Sequence, residues 1–524
     1  MSNTFLGMPS LPVFGRGNLN ATEPFPQAAH RELANTQLRA NLGHATHTIR
    51  YKRLKVVAEL PDWEQMRDAG SAIKDATMAN LPAMLEQFEA NFTARGGIIH
   101  WARDAQEANE IVTALIQETG ETEVVKVKSM ATQEIGLNEY LEDQGIAAYE
   151  TDLAELIVQL DHDKPSHILV PAIHKNRSQV REIFLREMPA VDPNLTDEPA
   201  RLAEAARKHL RKKFLSAKVA ISGANFGLAD TGTLTVVESE GNGRMCLTLP
   251  ETLITVMGIE KLLPSWSDLE VFMQLLPRSS TGERMNPYTS LWTGVTEGDG
   301  PQNVHLVMLD NGRTAALADE YGRTALNCIR CSACMNVCPV YERTGGHAYG
   351  STYPGPIGAI LSPLMTGIKS EENNSLPYAS SLCGACFDAC PVKINIPEIL
   401  VHLRGEDVDS QRAKVKVPSQ MDFMMKGAEW AFSSGAKLNL LEKGLPLGKL
   451  AAGRDKVIKK LPGIAGGWTQ SRDIPAPPSQ SFRQWWAKEH KPSTAVVPGN
   501  AVPGHAGPGN TAGHGTENSE GEQA

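Results

Sequence analysis

The sequence predicts an α/β protein, a parallel sheet covered by helices, followed by a smaller cysteine-rich domain. Two patterns carry that expectation. From Gly96 onward, short apolar runs trade places with amphipathic stretches every ten to fifteen residues or so, the rhythm of strand–helix crossovers. Beyond residue 312, seven of the eight cysteines fall into two tight groups.

Composition bounds the rest. The 524 residues leave room for two to four domains. Hydrophobic residues make up 41% and charged residues 21%, ordinary for a globular chain. A net charge of -9, with no basic tract interleaved with aromatics, excludes a general nucleic-acid binder. The N-terminal MSNTFLGMPSLPVFGRGNLN has neither the basic start nor the apolar core of a secretory signal. No apolar run approaches the ~18 residues of a membrane helix. Free cysteines without a signal fit a reducing compartment. The expected location is the cytoplasm, any membrane contact being peripheral.

Taken in order, residues 1–45 read as an irregular arm rich in Pro, Gly, Asn and Thr. From about Ala69 a helical period sets in through Ile73, Met78, Leu81, Leu85, Phe88 and Phe92. GGIIHWA (Gly96 to Ala102) is a strand, and Asp104 is placed to cap the helix after it. EVVKVKSM is a strand, 131–144 a helix, GIAAYETD a strand, LAELIVQL a helix and SHILVPA (Ser166 to Ala172) a strand running into another helix. Residues 218–258 hold two β-rich runs joined at EGNG, read as a hairpin, and then the buried strand LITVMG. Cys246 reads as a small buried hydrophobe in mid-strand. The glycine-rich GGHAYGSTYPGPIGAI (Gly345 to Ile360) reads as a loop packed closely against the thiols, not as a substrate site for His347 or Tyr353. A helix is expected over 421–435, and from Lys491 the Pro/Gly-rich chain should be disordered.

The first thiol group, CIRCSACMNVCP, places Cys328, Cys331, Cys334 and Cys338 before a proline. This is the C-x2-C-x2-C-x3-C-P run of two-cluster iron–sulfur proteins, in which the fourth cysteine serves the other cluster. The second group, CGACFDACP, supplies Cys383, Cys386 and Cys390. By that crossed pattern Cys328, Cys331, Cys334 and Cys390 hold cluster one, and Cys338, Cys383 and Cys386 hold cluster two. Cluster two is a ligand short, because Ser380 stands where a full motif would place a cysteine. It is then either a 3Fe–4S centre or a 4Fe–4S centre with a non-cysteine fourth ligand. Zinc also uses C-x2-C pairs, but needs neither the third cysteine nor the paired C–P endings.

These motifs, with VKVKSMATQEIGLNEYLEDQGIAAYETDLAELIVQL, PSHILVPAIHKNR, NFGLADTGTLTVVESEGNGR, GIEKLLPS, STGERMNPYTSLWTG and LPGIAGGWTQSRDIPAPPSQSFRQWW, resemble the lactate utilization protein B family. The resemblance implies a LUD domain over 46–311, similar in fold to the sugar-phosphate isomerase and CoA-transferase class. It implies a helical ferredoxin-type domain over 312–400, an extension over 401–490 and a tail over 491–524. It carries the same ligand sets onto the seven cysteines, and makes Ser380 a family trait. It further implies an electron-relay subunit that acts with two partners, a cysteine-rich-domain protein and a second LUD protein, in oxidising L-lactate to pyruvate for growth on lactate. The electron acceptor is left open.

Two clusters suit single-electron relay, and the chain has neither a G-x-G-x-x-G after a strand nor a G-x-x-x-x-G-K-[ST] loop to bind a hydride-accepting nucleotide. Substrate chemistry is therefore expected on a partner. Two other readings stand beside this one. One is the iron–sulfur subunit of a different hydroxy-acid dehydrogenase. The other is a binding or transferase module with sensory or structural clusters. Candidate polar residues for such a module are Lys128, Glu134, Asp152, His174, Asp230, Thr231, Glu240, Asn242 and Lys261. Each has a structural alternative: Asp230–Thr231–Gly232 suits a turn, and His174 a satisfied histidine near the carboxyl ends of the strands.

Overall fold

A computed structural model describes residues 4–5, 8–9, 14–15, 21–414, 420–452, 454–470 and 472–490. The tail from 491 lies outside the described residues. The chain divides into two compact units, 1–414 and 415–524.

In the first unit a short antiparallel pair, β1 (Thr4–Phe5) and β2 (Met8–Pro9), precedes two helices, α1 (Phe25–Glu32) and α2 (Thr36–Val57). The expected irregular arm is thus helical in its later part. The Asn35 side chain accepts the Leu38 N–H at 3.0 Å and caps α2, and Leu38 and Leu42 are buried. The helical period from Ala69 belongs to two helices, α3 (Trp63–Ala79) and α4 (Leu81–Thr93), because Pro82 begins the second and cannot continue the first.

The α/β alternation then runs as predicted through β3 (Ile98–Ala102), α5 (Ala105–Glu118), β4 (Glu123–Lys126), α6 (Met130–Glu134), α7 (Leu137–Asp143), β5 (Ala147–Glu150) and α8 (Leu153–Leu160). Asp104 caps α5, its carboxylate accepting the Glu107 N–H at 3.0 Å. Gly136, at φ +65°, separates α6 from α7. SHILVPA is not a strand. Its turns are held by the buried His167, whose Nδ1 accepts the N–H groups of Leu169 and Val170, both at 3.0 Å. Helices α9 (Arg177–Glu187) and α10 (Pro199–Ser216) follow.

Next come β6 (Val219–Gly223), β7 (Phe226–Leu228), β8 (Thr233–Glu238), α11 (Asn242–Thr248), β9 (Thr252–Gly258), β10 (Leu262–Leu263), α12 (Trp266–Ser280), β11 (Tyr288–Trp292) and β12 (Asn303–Leu309). EGNG opens a helix, not a hairpin. Gly241 turns the chain at φ +83°, and the Glu238 carboxylate accepts the N–H groups of Gly243 (2.8 Å) and Arg244 (2.7 Å). The hairpin lies one step earlier, between β7 and β8 at Asp230–Gly232. Cys246 is buried as expected, but in α11.

Six strands form an all-parallel sheet in the order β3-β12-β9-β6-β4-β5. Its middle strand β9 is buried along its whole length, as a sheet covered on both faces requires. A second sheet, β10-β7-β8-β11, packs beside it. The cysteine module adds α13 (Arg313–Ala318), α14 (Ala333–Asn336), α15 (Tyr341–Thr344), α16 (Gly355–Thr366), α17 (Glu371–Ser375), α18 (Ala385–Ala389) and α19 (Ile396–Lys414). The glycine-rich stretch expected as a loop therefore ends in a buried helix. This module has no core of its own. Phe88, Phe272 and Leu306 share one apolar cluster with Ile357, Leu361 and Leu403.

The second unit contains α20 (Gln420–Phe432), α21 (Gly435–Gly444), the pair β13 (Val457–Ile458) and β14 (Ile474–Pro475), and α22 (Phe482–Glu489), which opens on a Ser481/Gln484 capping box. Among the described residues no helix is long and apolar enough to cross a membrane.

Candidate metal centre

All eight cysteines are free thiols. Cys328, Cys331, Cys334 and Cys390 line one small cavity together with Ile168, Ile357, Val392 and Ile396. The electrostatics of the thiols fall into the same groups. Burial pushes Cys331 up to about 12, and the neighbouring Cys390 and Cys328 push it further the same way. Burial also raises Cys390, to about 11, with Cys328 as its thiol neighbour. Cys386 rises to about 12 through burial and then through Cys338 and Cys383. Cys334 feels Cys328 and Cys331 but also Cys386, so the two groups adjoin. Thus the chain brings Cys390 back to the first three cysteines, and Cys338 across to Cys383 and Cys386.

Local backbone makes this possible. Arg330, Ser332 and Leu382 take φ values of +60°, +60° and +54°, curling the loops around their cysteines. Backbone N–H groups of Arg330, Tyr341 and Ile394 point at the sulfurs of Cys328 (3.4 Å), Cys338 (3.5 Å) and Cys390 (3.3 Å). Cationic side chains fix the walls: Arg53 donates to the Ala389 carbonyl and Arg67 to the Cys390 carbonyl, both at 2.9 Å. Four thiols around one cavity, with no carboxylate among its lining residues, suit a soft-ligand iron–sulfur centre. The second group differs. Cys383 is exposed, and the half-buried Ser380 accepts the Leu382 N–H at 3.1 Å through its hydroxyl.

A buried charge network joins the first thiol group to the sheet. Arg313, just beyond β12, meets both oxygens of Glu134 at 2.9 Å and Glu260 at 2.5 Å. Glu134 also accepts from Asn311 (2.7 Å) and from the Tyr353 hydroxyl (2.5 Å). Glu260 pairs with Arg330 at 3.3 Å, and Arg330 lies over the Tyr353 ring. Burial opposes ionisation of Glu260, but the flanking Arg313, Lys261 and Arg330 hold it down at about 2. The carboxyl ends of β9 and β12, where an α/β sheet commonly receives a ligand, are thereby filled with side chains.

The other polar candidates do not form one site: Lys128, whose charge acts on Asp152, groups with Asp152, Glu240 and Asn242, and the rest lie apart. Lys261 donates to the Cys328 carbonyl at 3.4 Å and Lys128 to the Ile168 carbonyl. Asp152 caps α8, Glu240 accepts the Leu153 N–H at 3.1 Å, and Asn242 donates to Thr151 at 3.2 Å, so these three lie together. Asp230 sits apart and accepts the Trp266 N–H at 3.2 Å, and Thr231 belongs to the β7–β8 turn. His174 meets Asp163 at 2.9 Å. Sequence reasoning missed Glu260, Arg313 and Arg330, whose roles depend on partners far along the chain.

Family models match in sequence order: a LUD domain over residues 85–309, a 4Fe-4S dicluster domain over 324–394 and a lactate utilisation protein B C-terminal domain over 403–491. The chain is 44% identical to lactate utilization protein B of Oceanobacillus iheyensis over 471 residues, covering 89% of this chain and 96% of that protein. It is 43% identical to lactate utilization protein B of Bacillus subtilis over 470 residues, with the same two coverages. A crystal structure of a DUF162 family protein from Deinococcus radiodurans aligns with 12% identity and a TM-score of 0.25, covering 44% of this chain and 98% of that one. With relatives of this identity along nearly nine-tenths of its length, the chain belongs to the lactate utilization protein B family.

Proposed function

We propose that this chain is the iron–sulfur electron-transfer subunit of a complex that oxidises L-lactate to pyruvate. The observation that carries it is the return of Cys390 to Cys328, Cys331 and Cys334 while Cys338 joins Cys383 and Cys386, two adjoining thiol sets of relay type. The relatives are named for lactate utilization, which supports lactate as the compound oxidised. When bound, the clusters would supply one-electron steps. Cys328, Cys331, Cys334 and Cys390 would hold one, and Cys338, Cys383 and Cys386 the other, with Ser380 standing where a full motif has a fourth cysteine.

The chain's own residues would tune that relay. The Arg330, Tyr341 and Ile394 N–H groups draw charge from the sulfurs, which favours the reduced state. Burial keeps water from Cys331, Cys334 and Cys390, whereas the exposed Cys383 marks the side where electrons would exchange with a partner. The filled carboxyl ends of β9 and β12 argue against substrate chemistry there and for chemistry on a partner subunit. A cysteine-rich-domain protein and a second LUD protein are the partners proposed.

The test is anoxic reconstitution of the cluster-loaded chain with those two partners. Addition of L-lactate should bleach the visible absorption and produce reduced-cluster EPR signals. Clusters that dithionite reduces but lactate does not would overturn the assignment. The ligand sets have their own test. Cys390→Ser should abolish the EPR signature of the cluster anchored by Cys328 and leave the other. Loss of the Cys383 cluster instead would refute the crossed arrangement.

A further inference from the structure

Away from the thiols, three metal-binding side chains converge where the segment between α8 and α9 meets the glycine-rich segment of the cysteine module. They are Asp163, His174 and His347, each offering a donor atom within 4.8 Å of the others. The meeting is built, not incidental. The Tyr341 hydroxyl donates to the Ser166 carbonyl at 2.7 Å, and a Cβ on Gly346 would overlap that same carbonyl, so only glycine admits the approach.

Both ring nitrogens of His174 are hydrogen-bonded, and His347 has one nitrogen held by a backbone carbonyl. Nδ1 of His174 is 3.1 Å from the Ser166 hydroxyl, which can donate or accept, and Nε2–H donates to Asp163 Oδ2 at 2.9 Å. An ion bound at Nε2 takes the place of that proton while Ser166 accepts from Nδ1. Nε2 of His347 is 2.7 Å from the Lys164 carbonyl, an acceptor only, so that nitrogen carries the proton and Nδ1 keeps its lone pair. The two rings stand edge to face with centroids 4.6 Å apart. Partners of this kind on the outer nitrogens fix the tautomer of metal-bound histidines. Asp163 Oδ1 accepts the Lys164 N–H at 2.8 Å, which orients the carboxylate. Lys175 lies 2.6 Å from Asp163 Oδ2 but also 2.5 Å from Asp161, which can retain the ammonium when an ion takes Oδ2.

We propose that Asp163, His174 and His347 form a mononuclear site for a divalent transition-metal ion. A two-imidazole, one-carboxylate set is one that both Zn(II) and non-haem Fe(II) take, and Zn(II) is the redox-inert probe. Three protein ligands leave one coordination position open, for water or an anionic oxygen. A second grouping, Asp319, His402 and Glu406, is a weaker candidate, because it offers a single imidazole and its Glu406 is exposed.

The test uses the cluster-loaded full chain under anoxia, dialysed against Zn(II) and assayed for zinc, iron and sulfide, with zinc K-edge absorption for the ligand set. The expected result is one zinc per chain with nitrogen and oxygen neighbours only. His174→Gln and His347→Gln should each weaken zinc binding by more than about 100-fold, and Ser166→Ala by about 10-fold, with iron and sulfide unchanged. His402→Gln should leave zinc binding as in the parent. Any of three results would overturn the proposal: no zinc retained at micromolar concentration, zinc bound through sulfur at about 2.3 Å, or retention indifferent to both histidine substitutions.

Discussion

Arg313 is the guanidinium on which two fully buried carboxylates depend. Replacing it with Met would strand Glu134 and Glu260 without their main counter-charge, and breaking a buried pair in this way costs about 3–5 kcal/mol. Arg313→Met should accordingly lower the urea midpoint of the 1–414 unit, followed by circular dichroism. A second buried acid has the opposite character. Burial, and then Glu150, raise the Glu155 carboxyl from its ordinary 4.5 to about 7. The folded state therefore binds that proton more tightly than the unfolded chain. Stability from this group is present below pH 4.5 and is lost as pH rises through 7. Glu155→Gln should stabilise the protein by about 2 kcal/mol at pH 8 and change nothing below pH 4.5, read as thermal midpoints. The two cysteine groups of an iron–sulfur domain were legible because their chemistry is written in short spacings. The partners of Glu134 were not, since Glu260, Arg313 and Tyr353 come from three distant segments. His174 was visible as a candidate, but Asp163 drew no notice until the fold set it beside that ring.

At the scale of the element, most strands that apolar runs announce are present, and two misplaced elements, SHILVPA and EGNG, share one cause. SHILVPA has the composition of a strand, but His167 ties its own downstream N–H groups and closes a turn. EGNG has hairpin residues, but the Glu238 carboxylate reaches forward to satisfy the first N–H groups of α11. In both places a side chain outbids the residue pattern, as local side-chain-to-backbone bonds do. Glu238→Ala should cost about 1–2 kcal/mol by uncapping α11. A stability loss measured by denaturant titration, with cluster content intact, would check it. Pro82 made the opposite kind of error visible. The apolar period runs through it, yet the helix does not.

For the molecule as a whole, the shared core means that the cysteine module and the α/β sheet stand or fall together. Phe272 and Leu306 pack in the same apolar cluster as Cys331 and Cys390. Metal that binds only the folded state stabilises everything coupled to it. Stripping iron anoxically should therefore expose cleavage sites within residues 85–309 as well as around the cysteines. Limited proteolysis with mass mapping would show it, and cleavage confined to 312–400 would mean that the two parts unfold separately. The fold class was readable because strand–helix alternation is local. This fusion was not, because nothing in a linear pattern says which face of which helix will meet a neighbour.

The crossed thiol sets also impose an order on biosynthesis. A ribosome releasing this chain delivers Cys328, Cys331 and Cys334 well before their fourth companion, Cys390, and delivers Cys338 ahead of Cys383 and Cys386. Neither set is whole while the chain between them is still being made. Iron delivered early would meet incomplete sets, so under the proposed ligation both centres would be completed by the same late stretch of polypeptide. A message truncated before Cys383 would leave cluster one with three thiols and cluster two with one.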